Sequence, residues 1–169
     1  MLDNIINLVK QFAGDEVNNN PAIPAEKKAA VVDEAGNSVT ESLKKMASGG
    51  GLNDLLGMFK QGGNNVPGNV SQTVSGDMIS NLTNKLGLDP QTASGLAGGI
   101  IPKILGSLVN KTNDPSDNGF DLQSIFNQLT GGKTGGMNLQ NVIGKLKGGL
   151  DKDGDGDLDM QDLMKMFRN

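Results

Sequence analysis

The chain has no cysteine and no histidine among its 169 residues. It therefore lacks the thiol nucleophile, the usual general base and every soft metal ligand, which leaves carboxylates, hydroxyls and lysines for any chemistry. A disulfide framework is excluded, and most hydrolase and transition-metal readings fall away. The compartment stays open on this ground, because a Cys-free protein folds equally well on either side of a membrane. Tryptophan and tyrosine are missing too, and the five phenylalanines are scattered, so base-stacking platforms and aromatic interface anchors are scarce. The formal net charge is −4 and no stretch gathers five Lys or Arg on one face, so no nucleic-acid partner is expected. The N-terminal stretch carries Asp3 where a signal peptide has a basic region, and Asn4 and Asn7 interrupt its apolar residues. The longest apolar stretch, Leu96 to Val109, contains Pro102 and Lys103 and is shorter than the ~20 residues that cross a bilayer. No membrane span is expected, and a soluble, cytoplasmic protein follows by default.

What is present is helical periodicity. The composition is 36% apolar, enough for one sizeable core or two small ones. Apolar residues recur at helical spacing almost throughout, and no β-branched run alternates with polar residues for long. The expected fold is all-α: a small bundle of short amphipathic helices with a C-terminal EF-hand-like helix-loop-helix. A first helix is predicted over Leu2 to Phe12, with Leu2, Ile5, Ile6, Val9 and Phe12 as its stripe. A second follows Asn20-Pro21-Ala22-Ile23-Pro24, with Pro24 in its first turn and Val32, Ala35, Val39, Leu43 and Met46 on one side, until Gly49-Gly50-Gly51 ends it. A short third helix covers Leu52 to Lys60, and Gln61 to Asn69 is rich in turn formers. The fourth carries Val70, Val74, Met78 and Leu82, with Gly87 as a left-handed terminator. Asp89-Pro90 reads as N-cap and first-turn proline of a fifth helix, which is expected to bend or restart at Pro102 before the loop Asn110 to Gly119. These signals divide the chain into an N-terminal helical segment (1–62), a central one (68–136) and a calcium-binding unit (137–169).

A weak internal repeat runs through this pattern. Leu52, Leu55, Leu56 and Phe59 fall at i, i+3, i+4 and i+7, and so do Leu122, Ile125, Phe126 and Leu129. Leu139, Val142, Ile143 and Leu146 repeat the spacing, as do Met160, Leu163, Met164 and Phe167. Each is a two-turn amphipathic helix, too short to be stable unless its stripe docks on something.

The segment DKDGDGDLDMQD, Asp151 to Asp162, sets six carboxylates in twelve residues. Ca²⁺ takes its oxygens from positions 1, 3, 5, 7, 9 and 12 of a loop that turns sharply at position 6. Asp151, Asp153 and Asp155 supply the first three side chains, Gly156 stands at the turn, and Asp157 offers its backbone carbonyl. Asp159 and Asp162 occupy positions nine and twelve, and Leu158 is the apolar residue that turns inward. A solvated acidic turn that only caps a helix needs one carboxylate, not six. The pattern resembles an EF-hand, with Asp162 in place of the usual Glu, as dockerin-type calcium loops have it. One Ca²⁺ is expected at Asp151, Asp153, Asp155, Asp157, Asp159 and Asp162. The hand occurs once: Asn113 to Gly119 is acidic but carries Pro115 and lacks the ligand alternation. Its partner would be a metal-free pseudo-hand, the bundle itself or a second copy of the chain.

Outside the loop, Leu86-Gly87-Leu88-Asp89-Pro90, Ala97 and Ile101-Pro102-Lys103-Ile104-Leu105 resemble the YidB-like family of Gly-rich bacterial proteins of unknown function. Asn20-Pro21-Ala22-Ile23-Pro24 and Gly49 to Leu52 are similar to members of the same broader group. The resemblance implies an all-helical fold, with no known activity and no catalytic residue to carry over.

An enzymatic reading has little to build on. Ser38, Ser42, Lys44 and Lys45 lie close on one helix, yet a Ser-Lys pair needs burial and an oxyanion site that nothing in the sequence announces. They read as a solvated helix face, and Asp77 likewise as exposed. The expectation is a non-enzymatic calcium-binding interaction module, in which the metal orders the C-terminal helix and its Met160, Leu163, Met164, Met166 and Phe167 surface. The alternative is a self-assembling structural protein with calcium as a structural ion only. In either case the contact, with a second copy or another protein, would run through the C-terminal helix.

Overall fold

Ile5, Val9, Ala13 and Val17 recur every four residues and stay fully buried, so the first helix continues to Asn18 (α1, Leu2–Asn18) and does not stop at Phe12. Gly14 sits inside it, its propensity cost overridden by the stripe on either side. The computed structural model describes residues 2–61, 63, 66–114 and 116–132. The second helix (α2, Ala25–Ser48) begins just after Pro24, which stands outside the first turn and accepts from the Lys27 N–H at 2.9 Å. Val31, and not Val32, heads its buried row of Ala35, Val39, Leu43 and Ala47. A short helix (α3, Leu52–Gln61) follows the glycines, and a fourth (α4, Gly68–Leu86) buries Val70, Val74, Met78 and Leu82 completely.

The turn out of α4 is as the sequence predicts. Gly87 has φ +64°, its N–H donates to the Thr83 carbonyl, and the Leu88 N–H reaches the Leu82 carbonyl, satisfying two orphan acceptors of the last turn. Asp89 then caps the fifth helix (α5, Pro90–Thr112) by accepting from the Gln91 and Thr92 N–H groups at 2.9 and 3.0 Å. This helix neither stops nor restarts at Pro102, contrary to the local rule. Pro102 lies on its exposed side, where water can satisfy the carbonyl the ring leaves unpaired, while packing holds the other faces. α5 also runs three residues, Asn110 to Thr112, into the expected loop, which is followed by a 3₁₀ turn at Asn118–Phe120 and the Asp121 cap of a last described helix (α6, Leu122–Leu129).

Neighbour relations close the four long helices into a ring: α1 beside α2, α2 beside α4, α4 beside α5, and α5 beside α1. Cross-helix pairs fix antiparallel directions, Lys10 to Asp33 at 2.7 Å, Glu34 to Lys85 at 2.8 Å and Glu16 to Lys103 at 2.7 Å. The described residues thus form an all-α up-and-down four-helix bundle with one continuous apolar core from Ile5 to Leu129. They contain no strand. α3 and α6 cover one end. Their stripes, two copies of the repeat, meet through Phe59 and Phe126, edge to face with centroids 5.5 Å apart. The other two copies, 139–146 and 160–167, lie outside the described residues. α5 is the one described helix long and apolar enough to cross a bilayer by length and composition, and 56% of its most apolar window is buried inside the bundle.

Two stability outcomes follow from how closely the loop after α3 crosses α5. A Cβ at Gly106 would lie 2.7 Å from the Gly63 carbonyl, and one at Gly63 would run into Gly106 and Asn110. Gly106→Ala should therefore cost about 1–3 kcal/mol, as overpacking does. A Cβ at Gly76 meets nothing within 4 Å, so Gly76→Ala should stabilise α4 by about 0.4–1 kcal/mol. Urea denaturation of both variants checks the opposite signs.

The acid limb of stability is set in part at the α5 cap. The hydrogen bond from the Thr92 hydroxyl, then those from the Gln91 and Thr92 N–H groups, hold the Asp89 carboxyl below its ordinary value. A depressed folded-state pKa contributes stability that is complete above about 3.9 and lost as pH falls through the folded value. Asp89→Asn should flatten the stability profile below pH ~4, read as denaturation midpoint against pH.

Candidate functional site

All six predicted calcium ligands, Asp151, Asp153, Asp155, Asp157, Asp159 and Asp162, lie outside the described residues. Among the described residues, no group of three or more carboxylates is placed to hold a metal ion.

The described part does assemble a polar site that the sequence reading missed, along the seam between α2 and α4. Ser38 and Ser42, expected on a solvated face, are both fully buried. They stand one turn apart on the side of α2 that meets α4, where their small size allows close approach. Asn81 Nδ2 donates to Ser38 Oγ at 3.0 Å, and Ser38 lies 3.5 Å from Glu34 Oε1, a weak contact. Glu34 in turn pairs with Lys85 at 2.8 Å. One turn from the end of the seam, Lys27 Nζ donates to the Leu86 carbonyl at 2.9 Å. At the other end Lys45 pairs with Asp77 at 3.2 Å, so Asp77 is half-buried and ion-paired, not free in solvent as expected. Lys44 is exposed, in line with the expectation.

This arrangement does not make a nucleophile. Ser38 is fully buried with no route to a substrate, and among the described residues the only carboxylate its hydroxyl points to, Glu34, is 3.5 Å away and already paired with Lys85. Ser42 Oγ is buried with no hydrogen-bond partner at all. The hydrogen bond to Glu34 raises the Lys85 pKa, with Glu34 and Glu41 adding through their charges. A raised folded-state value means the pair contributes fully below pH ~10.4 and is lost as pH climbs through it. The seam is thus intact across neutral pH. The four-residue spacing of Ser38 and Ser42, matched by Asn81 and Lys85, was the available signal, but it becomes legible only once α2 is known to face α4.

Two shallow grooves open on other faces. One, about 460 Å³, runs between α1 and α2 over Gly14, Asn18, Ala29 and Val32. The other, about 210 Å³, lies beside Asn4, Asn7, Gln11 and Phe120, where Lys111 sits 5.2 Å from the Phe120 ring centre and pairs with Asp117 at 3.0 Å. Asn4 Nδ2 donates to the Gly119 carbonyl at 2.6 Å, tying the 3₁₀ turn to α1. The Leu2 N–H donates to Gln128 Oε1 at 3.1 Å, so α6 ends beside the start of α1. The described residues end just after α6 at Gly131 and Gly132, both at positive φ.

A family model described as bacterial protein of unknown function (DUF937) matches residues 68–159, more than half of the chain. The match takes in α4, α5 and α6 and continues into the Asp-rich loop as far as Asp159. No curated protein and no solved structure matches the chain.

The seam yields a double-mutant test. Asn81→Ala strands the buried Ser38 hydroxyl and should cost about 1–3 kcal/mol, whereas Ser38→Ala/Asn81→Ala removes both partners and should cost less than the single change. Equilibrium denaturation of the three chains reads the difference.

Proposed function

We propose that this chain, which belongs to the DUF937 family of bacterial proteins of unknown function, is a non-enzymatic calcium-binding protein that acts as an interaction module. The observation that carries the reading is the alternation of Asp151, Asp153, Asp155, Asp157 and Asp159 around Gly156, completed by Asp162 at the twelfth position. Hard oxygen ligands at that spacing suit Ca²⁺, and Asp162, one methylene shorter than Glu, requires the loop to close further. The resemblance of residues 78–108 to YidB-like proteins falls inside the matched span and supports placing the chain in that branch. Without metal, carboxylate repulsion opposes loop closure; with it, the segment carrying Leu158, Met160, Leu163, Met164 and Phe167 is ordered for docking.

The self-assembling alternative draws on a different observation. Two copies of the repeat, α3 and α6, pack on each other through Phe59 and Phe126, and the remaining two carry the same spacing. Stripes of this kind on separate chains could pair likewise, with calcium stiffening one of them. Light scattering with calcium and with chelator separates the readings: a calcium-independent oligomer favours assembly, and a monomer favours the module.

Calorimetric titration should show one Ca²⁺ per chain, and Asp151→Ala should abolish the heat. Metal at a hundredfold excess over Kd should stabilise the folded form by about 2.7 kcal/mol. Hydrogen exchange should then slow between Leu139 and Phe167. Equal protection in chelator and in calcium would remove the coupling from the proposal.

A further inference from the structure

The two halves of the bundle carry one burial pattern at a constant offset. Adding 65 to each number takes the buried α1 row Ile5, Val9, Ala13, Val17 onto the α4 row Val70, Val74, Met78, Leu82. The same step takes Val31, Ala35, Val39 and Leu43 of α2 onto Leu96, Ile100, Ile104 and Leu108 of α5, and the buried turn residue Ile23 onto Leu88. No gap is needed between Ile5 and Leu43, although α4 and α5 are joined by a shorter turn than α1 and α2. The stripes of α3 and α6 correspond at an offset of 70, because the link before α6 holds the 3₁₀ turn and is longer than Gly49 to Gly51.

The contacts between the halves repeat as well. α2 lies beside α4 and, in return, α5 lies beside α1; α2 meets α6, and α5 meets α3. Across the first seam Asn81 donates to Ser38 at 3.0 Å, and across the second Lys103 donates to Glu16 at 2.7 Å. Ser38 and Lys103 are 65 positions apart, and so are Glu16 and Asn81. A contact from i to j that is returned from j to i is what a two-fold axis imposes on an interface between like units. The chemistry differs, a hydrogen bond to a buried hydroxyl in one seam and an exposed ion pair in the other, while the positions agree. The matched family span begins at Gly68, the first residue of α4, so it takes in the second half and leaves the first outside.

We infer that the bundle is two copies of one three-helix unit, residues 2–61 and 68–129, joined about a local two-fold axis, and that the face joining them is an interaction surface for a second copy of this chain. Each half accepts the complementary half of another molecule, so that two chains build two bundles with every contact between halves kept. Residues 62–67 decide which partner is taken. A short tether holds the chain's own second half at an effective concentration on the order of millimolar, so the closed single chain forms at lower protein concentration. A tether too short to span the two halves removes that advantage and leaves the face to another copy. None of this rests on the calcium reading, and the surface is not that of the C-terminal helix.

The chain has no cysteine, so single cysteines cross-link without background. Deleting Gly62 to Asn65 removes the crossing of Gly63 over Gly106 and leaves two residues to join α3 to α4. E16C and K103C, each on a separate chain with this deletion, are refolded together and treated with a short bismaleimide. The shortened chain should keep its helical signal and show twice the mass of the native-linker chain by light scattering. E16C should join K103C between chains at least tenfold more than in folded native-linker chains mixed at the same concentration. A helical chain of unchanged mass, or a doubled mass without that cross-link, overturns the inference. Should the shortened chain lose its helices, the native linker decides. E16C and K103C chains unfolded in urea and refolded together should give inter-chain product that rises with protein concentration, and its absence at every concentration overturns the inference.

Discussion

Burial of one apolar residue in every turn, at four-residue steps, is the constraint on which the bundle rests. A helix turns once in 3.6 residues, so a row spaced by four drifts slowly around the cylinder, and such rows interlock with like rows on a neighbour. α1, α2 and α4 each contribute a narrow row of this kind. α5 contributes two, one through Ala93, Ala97, Ile101, Leu105 and Val109 and one through Leu96, Ile100, Ile104 and Leu108. Like each member of the ring it faces two long helices, α4 and α1, and it buries both rows against them. That position accounts for its membrane-like composition and for the survival of Pro102 on the only side left over.

Narrow rows leave room beside them, and on the α2–α4 seam the room is filled by polar side chains. Ser38 and Ser42 keep the backbones close, and Asn81, Glu34 and Lys85 supply directed contacts that an apolar seam would lack. Apolar rows with a uniform step specify depth better than register, because each turn resembles the next. Polar pairs specify register better than they add stability. Here the two are combined, with Ser42 as the unpaired member of the ladder.

Local punctuation was legible from sequence wherever a backbone group demanded a particular residue. Gly87 had to be left-handed, Asp89 had to cap, and the stripes of α3 and α6 had to dock. What failed were the readings in which a local preference met a tertiary one: the first helix does not stop at Phe12 and the fifth does not restart at Pro102, because the buried rows run on past them. Ser38 and Ser42 looked like surface because hydroxyls usually are, and their burial depends on a partner helix some forty residues away. The proposed calcium-binding segment, Asp151 to Asp162, is the reverse case. Its ligand spacing is written in twelve consecutive residues and needs no tertiary information to be read, whereas the stretch itself lies outside the described residues.

Charge links the two parts of the chain. Residues 1–132 hold nine lysines and thirteen carboxylates, so the whole formal charge of −4 belongs to them. Residues 133–169 hold six basic residues and six carboxylates, and those six are the proposed ligands. By formal charge the segment is neutral, and one Ca²⁺ taken as proposed would make it +2 in a chain whose other residues carry −4. Five of its six basic residues, Lys133, Lys145, Lys147, Lys165 and Arg168, fall outside the Asp151–Asp162 stretch in sequence. Metal binding would therefore do more than close a loop. On the proposed reading it would also change the formal charge of the segment from neutral to +2, an effect that salt screens over about 8–10 Å. The last described helix, α6, places Gln128 against the Leu2 N–H, one residue before Asp3 in the first turn of α1.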